Sequence, residues 1–338
     1  MKTYIPYSLL AALAACGMAS GASTAYTTPV GYVSLGDTAG ANAVAANTDS
    51  MISVPLARPA EYAGTVASVG ANTLTVSGTP SWTTNQFTSV PYCLVVKSGA
   101  QKGLFAVITA NTVDTLTLTV TTGVLSGVVA ADQVVIAKCW TLGSFLPIAG
   151  IPTGTTLLAY NGTTPGINLA ANLIYTKGPS NWIQTFGGSG DATNHILYPG
   201  ESFILRTGAN PVPSLVISGE VPTWNSRTSI NKLTATGTGQ DNRISYFSPV
   251  GEALSLSSIP ASTGDALLIF NNVAIGKNKA ASAIITKGPT SWVGTFGLSG
   301  NQDAYQLIGG VGYVYRRAAS APAGSLDWND AQGYQSGL

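Results

Sequence analysis

The sequence contains one segment twice, and this duplication limits the fold more than any other feature. Residues 176–187 (TKGPSNWIQTFG) recur 110 positions later as residues 286–297 (TKGPTSWVGTFG). The match continues to residues 209 and 319, with 14 identities in 34 aligned positions. Two copies are too few to form a core by stacking, as a solenoid does. The duplication therefore predicts a pseudo-symmetric domain in which residues 140–209 and 250–319 are equivalent β units.

The pattern of residues is that of β-strands almost everywhere. Short β-branched runs and period-two alternation are separated by Gly, Pro, Asn and Ser, and no segment has a sustained helical period with capping residues. In residues 114–120 leucine alternates with threonine, which predicts a half-buried strand with threonine on the wet face. We expect an all-β fold, a pseudo-symmetric repeat β-sandwich with a small β-barrel-like module that is inserted or N-terminal.

The same pattern divides the chain into five parts. Residues 58–139 lack the repeat and have several short strands and hairpin turns, which predicts a separate compact module. The predicted parts are a signal peptide (1–25), N-terminal strands (26–57), a small β module (58–139), a domain of two repeats of about 70 residues (140–320) and a C-terminal tail (321–338).

Residues 1–25 are typical of an export signal, with Lys2, an apolar stretch and then small residues. Cleavage after a small-x-small pattern near residue 22 or 25 would release the mature chain. Alternatively, residues 13–16 (LAAC) fit a bacterial lipobox, in which Cys16 would be lipidated. Both lead to an extracellular or cell-envelope location, free or anchored. No other stretch approaches the roughly 18 apolar residues of a membrane-spanning helix.

Composition excludes several classes of function. The chain has 15 Lys+Arg, 14 Asp+Glu and one His, and its formal net charge is +1. This charge does not provide the basic surface that nucleic acids require. So few titratable groups also argue against an acid–base enzyme, a metal site or a bound cofactor. We therefore expect no catalytic residue.

Cys93 and Cys139 both lie in strand-like runs and remain in the mature protein. In an oxidising compartment they would form a disulfide if the two strands were adjacent. The alternative is two buried free thiols that pack as small apolar side chains.

Tryptophan follows a proline turn at four places, and a phenylalanine lies four or five residues later in three of them. These aromatic residues have two interpretations. They are structural plugs over the ends of the sheets, with the indole N–H bonded to a loop carbonyl, or they are exposed platforms that bind sugar rings. The residues concerned are Trp82, Trp182, Trp224, Trp292, Phe186 and Phe296.

The few titratable residues do not repeat as a catalytic set would. His195, the sole base available to a Ser-His-Asp arrangement, aligns with Tyr305. Glu201 aligns with Val311, so the copies do not share a carboxylate pair of the kind that glycosidases use. Arg206 and Arg316 do recur, and we expect them to be solvated strand ends.

Several short segments together resemble a paralogous family of exported β-rich proteins of unknown function from verrucomicrobial bacteria. This resemblance implies export and no known catalytic residues. The segments are residues 28–33 (TPVGYV), 52–56 (ISVPL), 72–83 (NTLTVSGTPSWT), 140–144 (WTLGS), 286–297 and 328–334 (WNDAQGY).

We therefore expect a non-catalytic, exported β protein with a structural or surface-interaction role. Near-zero net charge and few charges on strand edges favour lateral self-association as the interaction. A first alternative is a carbohydrate-binding module that holds a surface glycan with the repeated tryptophans. A second is an unrecognised hydrolase.

Overall fold

The computed structural model describes residues 28–36, 39–234 and 237–337, and side chains as far as residue 335. The predicted signal peptide and Cys16 lie outside the described residues. Among these residues the one α-helix is a single turn, α1 (Leu142–Phe145), and short 3-10 turns cover Gln86–Thr88, Leu125–Gly127, Ile148–Gly150 and Gly333–Gly337. In chain order the strands are β1 (Val30–Leu35), β2 (Asp49–Ser53), β3 (Ala60–Val69), β4 (Thr73–Val76), β5 (Tyr92–Val96), β6 (Phe105–Asn111), β7 (Thr115–Thr122), β8 (Gln133–Lys138), β9 (Thr156–Ala159), β10 (Leu173–Lys177), β11 (Trp182–Phe186), β12 (Gly190–Asp191), β13 (Ser202–Arg206), β14 (Leu215–Glu220), β15 (Ser226–Lys232), β16 (Gln240–Ser245), β17 (Glu252–Ala253), β18 (Ala266–Ile269), β19 (Ala283–Lys287), β20 (Trp292–Phe296), β21 (Gly300–Asn301), β22 (Gln306–Leu307), β23 (Gly312–Arg317) and β24 (Gly324–Asp330).

The fold is all-β, as the residue pattern predicts. Two antiparallel six-stranded sheets have the orders β12-β11-β10-β9-β13-β2 and β21-β20-β19-β18-β23-β16. Five strands of the second sheet begin 110 residues after their counterparts in the first. We call the part of the chain that contains these two sheets the two-sheet domain.

The sixth strand of each sheet is a part of the repeat that the sequence analysis missed. Strand β2 pairs with β13 so that Asp49 lies opposite Arg206, and β16 pairs with β23 so that Asp241 lies opposite Arg316. Residues 49–53 (DSMIS) and 241–245 (DNRIS) are therefore equivalent positions. They share only three residues and are separated by 192 positions instead of 110, because other segments intervene.

Strands β3–β8 close into a barrel with the order β3-β4-β7-β6-β5-β8, and β8 pairs with β3. The barrel lies within the predicted module of residues 58–139, and it is inserted between β2 and β9 of the first sheet. In β7 the leucines at 116 and 118 are buried in the barrel, as the alternation with threonine predicts.

Strand β5 and the central residues of β8 (134–137) are apolar because both of their faces are covered. Leu94 and Ile136 point into the barrel, whereas Val95 and Val135 pack on the outside against the core of the first sheet. The barrel therefore shares its outer wall with the two-sheet domain.

A polar cluster of three residues holds the edge of the first sheet. The Arg206 guanidinium donates to both carboxylate oxygens of Asp49 at 2.7 and 2.8 Å, and to Asn278 Oδ1 at 2.6 Å. The main-chain N–H of Asn278 also donates to Asp49, at 2.6 Å. Asn278 comes from the second copy, so this cluster joins the copies.

The same cluster recurs with the roles of the copies exchanged. Arg316 donates to Asp241 at 2.6 and 3.0 Å and to Asn168 Oδ1 at 2.8 Å, and Asn168 lies in the first copy. Reciprocal contacts of this kind require a pseudo-two-fold axis between the copies. Our prediction that Arg206 and Arg316 are solvated strand ends is wrong, because each one is bonded to a carboxylate that the missed strand supplies.

Three two-stranded sheets complete the described part, β1–β14, β15–β24 and β17–β22. The predicted C-terminal tail is thus partly a strand, and Trp328 in β24 is buried in the core of the second sheet. No helix of the described residues has the length and apolar character needed to cross a membrane.

Candidate functional site

The tryptophans that the sequence singled out are all buried. Trp82, Trp182, Trp224 and Trp292 are at most 8% exposed. The Trp182 N–H donates to the Leu146 carbonyl oxygen at 3.0 Å, which is the contact expected of a structural plug. The burial of these four indoles removes the exposed platforms on which the carbohydrate-binding interpretation depended.

The interpretation of Phe186 and Phe296 as plugs is wrong, since their side chains are 55% and 56% exposed. A β-bulge explains this position. Gln184 lies opposite the buried Tyr175, but Phe186, not Thr185, lies opposite Ile174. The extra residue moves Phe186 from the core face to the outer face. An equivalent register shift between β19 and β20 does the same for Phe296.

His195 does not belong to a catalytic arrangement among the residues that the structure describes. Its Nδ1 lies 3.2 Å from the Tyr175 hydroxyl, and the two rings stack with centroids 4.4 Å apart. Burial lowers the pKa of His195, which favours the neutral ring. The contact with Tyr175 combines a hydrogen bond with ring packing and includes neither a serine nor a carboxylate.

Cys93 lies in β5 and Cys139 directly follows the neighbouring strand β8, and both are buried free thiols. Cys93 is opposite Ala137 and Cys139 is two residues further along, so the two cysteines are diagonal neighbours. A hydrogen bond with Cys139 and burial raise the pKa of the Cys93 thiol, which makes it a poor nucleophile.

A cavity of about 580 Å³ lies between part of the barrel and the two-sheet domain. We call it the barrel cavity. One wall is the apolar outer face of β5, β6 and β8, and the free cysteines lie in it. The opposite wall is polar and comes from the turn after β9, the approach to β13, and strands β15 and β16. A cavity of this size with an apolar wall and a few polar groups is typical of a small-molecule site.

Glu201 is the carboxylate of this cavity that has no partner. It precedes β13, and its main chain forms an isolated bridge with Ile244 of β16. Among the described residues no donor hydrogen-bonds to its carboxylate, and burial raises its pKa to about 7. Glu201 is half-buried, and a desolvated carboxylate without a donor is uncommon unless it binds something.

Arg243 also lines the barrel cavity without a carboxylate partner. Its guanidinium lies 4.1 Å from the centre of the Tyr160 ring and contacts Met51 Sδ at 3.9 Å. The nearby Asp241 carboxylate is held by Arg316. Burial lowers the pKa of Arg243, so its environment resists the charge that the side chain carries.

The duplication supplies an internal comparison for this site, because each of these residues has an equivalent in the other copy. Where the barrel cavity has Tyr160, Arg243 and Glu201, the equivalent positions are Phe270, Met51 and Val311. The second set is apolar: Met51 and Phe270 pack in one hydrophobic cluster, and Val311 packs in the core of the second sheet. Equivalent backbone positions therefore carry apolar residues in the copy where these positions are packed, and polar residues in the copy where they line the cavity.

A fourth difference leaves the space beside Arg243 open. Asn272 fills the equivalent space with a carboxamide that accepts from the Met51 N–H at 2.8 Å and donates to the Met51 carbonyl oxygen at 2.9 Å. It also donates to the carbonyl oxygen of Ala41, in the segment that covers this side. The equivalent of Asn272 is Gly162, which lines the barrel cavity and has no side chain with which to cap Arg243.

Glu201 was noted in the sequence only as a mismatch with Val311, and Arg243 was not noted at all. The Glu201/Val311 mismatch could have indicated the site, since it places a charge at a position where the other copy has an apolar residue. Arg243 was hidden because the strand that carries it was not recognised as part of the repeat.

No protein-family model matches this chain, and neither a curated protein nor a solved structure is significantly similar to it.

Proposed function

We propose that the chain is an exported, non-catalytic β protein that acts by binding, and that its ligand occupies the barrel cavity. The observation that carries the proposal is that the polar residues of one copy that replace apolar residues of the other lie together in this cavity. Tyr160, Glu201 and Arg243 stand where the other copy has apolar residues, and all three line the cavity. The part of the proposal that concerns export is supported by the residue pattern of positions 1–25, which is typical of an export signal.

A binding role agrees with the chemistry of the lining better than catalysis does. Glu201 and Arg243 are isolated from the groups that would act with them in proton transfer, such as His195, which does not line the cavity. The Glu201 carboxylate and the Arg243 guanidinium suit ligand recognition, because each desolvated, unpaired charge favours a ligand group of the opposite charge.

The test is to block the cavity. Thr121 is exposed and lines the barrel cavity, so Thr121→Trp places an indole in the binding space with little effect on the core. Thr109 is the matched control, because it is exposed on the neighbouring strand and does not line the cavity. Each hydroxyl donates to a main-chain carbonyl oxygen, at 3.0 Å for Thr121 and 3.2 Å for Thr109.

The measurement is a thermal-shift screen of the purified protein against amino acids, short peptides, sugars, nucleosides and fatty acids. We expect at least one class to raise the midpoint of the wild type and of Thr109→Trp, but not of Thr121→Trp. Ligands that stabilise all three proteins equally, or none that stabilises the wild type, would refute the proposal.

A further inference from the structure

We infer that the ligand of the barrel cavity is a short peptide with free termini, whose ammonium group pairs with Glu201 and whose carboxylate pairs with Arg243. This inference rests on the function proposed above and specifies its ligand. Three features of the cavity support it: two unpaired charges of opposite sign, an uncapped strand edge and an apolar wall.

The two charges require a ligand that carries both signs. Glu201 and Arg243 line the same cavity, and neither forms an ion pair among the described residues. Arg58 is a second cation of the lining without an ion pair in the described part of the chain, and its guanidinium lies over the Trp140 ring. A sugar would remove water from both groups and neutralise neither. A fatty acid would pair with Arg243 and leave Glu201 unpaired, and a polyamine would do the reverse. A zwitterion satisfies both groups, which is the condition for burying charges without a large penalty.

The uncapped strand edge indicates a peptide group between the two charges. In the other copy the carboxamide of Asn272 binds the main-chain N–H and C=O of Met51. Met51 is equivalent to Arg243, and Gly162 leaves the space beside Arg243 open. A peptide bond has the same donor and acceptor as a carboxamide. It is therefore the natural group to take this place, as a peptide does when it adds to a sheet edge.

The apolar wall and the volume indicate the side chains of the peptide. Val95, Phe105, Val135 and Ala137 form the outer wall of the barrel along the cavity. About 580 Å³ lies within the range of about 300–1,000 Å³ typical of small-molecule pockets and exceeds the needs of one amino acid. A dipeptide or tripeptide with aliphatic side chains would cover this wall.

The experiment is isothermal titration calorimetry of the whole mature protein with leucyl-leucine, N-acetyl-leucyl-leucine and leucyl-leucine amide at pH 8. We expect each cap to weaken binding to the wild type at least about tenfold, because each removes one charge pair. The variants are Glu201→Val and Arg243→Met, which introduce the residues that the equivalent positions of the other copy already hold.

The variants assign each charge to its partner. In Glu201→Val the N-acetyl cap should no longer weaken binding, while the amide cap still does. In Arg243→Met the pattern should be reversed. Arg58 is the control, since it also lines the cavity and lies 4.7 Å from the centre of the Trp140 ring. Arg58→Met should leave the effects of both caps as in the wild type.

The outcomes separate this inference from the proposed function. If the capped dipeptides bind the wild type as tightly as the free one, or if none of the three binds, the peptide inference is wrong. In that case the cavity remains a binding site if another class of ligand in the thermal-shift screen stabilises the wild type but not Thr121→Trp. If no ligand is excluded by Thr121→Trp, both proposals fail.

Discussion

At the scale of single residues, the barrel cavity differs from its equivalent by a few side chains. Glu201 is the one with the largest energetic consequence, because Val311 shows that the same backbone position accepts an apolar residue. A carboxylate there has an unfavourable free energy unless a ligand pairs with it. Residues kept at a cost in stability are typical of functional sites.

This cost gives a prediction with a defined dependence on pH. Burial raises the pKa of Glu201 from 4.5 to about 7, so the folded protein binds the proton more tightly than the unfolded chain does. The penalty is therefore absent below about pH 4.5, grows as the pH rises, and is complete above about pH 7. We expect Glu201→Gln to increase the free energy of unfolding by about 2 kcal/mol at pH 8 and to have little effect at pH 4.

Urea denaturation of Glu201→Gln and the wild type at both pH values measures this difference without ligand. An equal effect of the substitution at pH 4 and pH 8 would contradict the assignment of Glu201 as a desolvated, unpaired carboxylate.

At the scale of elements, the edge strands β2 and β16 hold the copies together through their aspartates. Burial would raise the pKa of Asp49, but its hydrogen bonds with Arg206 and with the N–H of Asn278 lower it overall. The carboxylate is 8% exposed, so its charge is paired in a largely buried setting. A lowered pKa means that this contribution to stability is present above about pH 4 and is lost as the pH falls further.

We expect Asp49→Asn and Asp241→Asn each to reduce the free energy of unfolding by about 2 kcal/mol, because each leaves a half-buried arginine without its counter-ion. Glu61→Gln is the matched control. Glu61 pairs with Lys138 at 2.9 Å, but both side chains are well exposed, so this change should cost less than about 1 kcal/mol. Equal losses from the three substitutions, measured by urea denaturation, would show that the two clusters do not join the copies.

A single extra residue determines which aromatic side chains the outer hairpins bury. The sequence marks the tryptophan and phenylalanine of β11 and β20 as either structural plugs or exposed platforms, and strict alternation along each strand would place both on the same face. The bulge at Thr185, and the equivalent one in β20, turns Phe186 and Phe296 outward. A bulge arises from the pairing of two strands, so neither strand reveals it when its sequence is read alone.

At the scale of the whole molecule, the barrel is an insertion whose two ends are adjacent. Ala60 lies opposite Ala137 in the β3–β8 ladder, so a short linker can replace the barrel without moving β2 or the start of the second segment. The barrel has its own interior core, and the first sheet has another. Only the outer wall, with Val95 and Val135, is shared.

We predict that replacing residues 60–137 by Gly-Ser-Gly leaves a two-sheet domain that unfolds cooperatively but at a lower temperature. The expected cause of the lower midpoint is the loss of the apolar contacts of Val95, Phe105 and Val135 with the first sheet. Binding of any ligand excluded by Thr121→Trp should also be lost, because one wall of the cavity is removed.

Circular dichroism and thermal denaturation of this variant, followed by the same ligand titration, provide the measurement. Non-cooperative unfolding would show that the barrel is part of one indivisible core, and retained binding would show that the ligand does not use the barrel wall.

The sequence alone determined the all-β class, the separate module near residues 58–139 and the equivalence of the copies. Strand periodicity can be read from neighbouring residues, and the duplication from the comparison of two continuous segments. The tertiary structure decided the membership of β2 and β16, the outward position of Phe186 and the site itself. Glu201 and Arg243 line one cavity only because the segment before β13 pairs with β16, a strand that follows it in the chain and belongs to the other sheet. This arrangement depends on pairing between distant segments, and the only sign of it in the sequence is the three residues that β2 and β16 share.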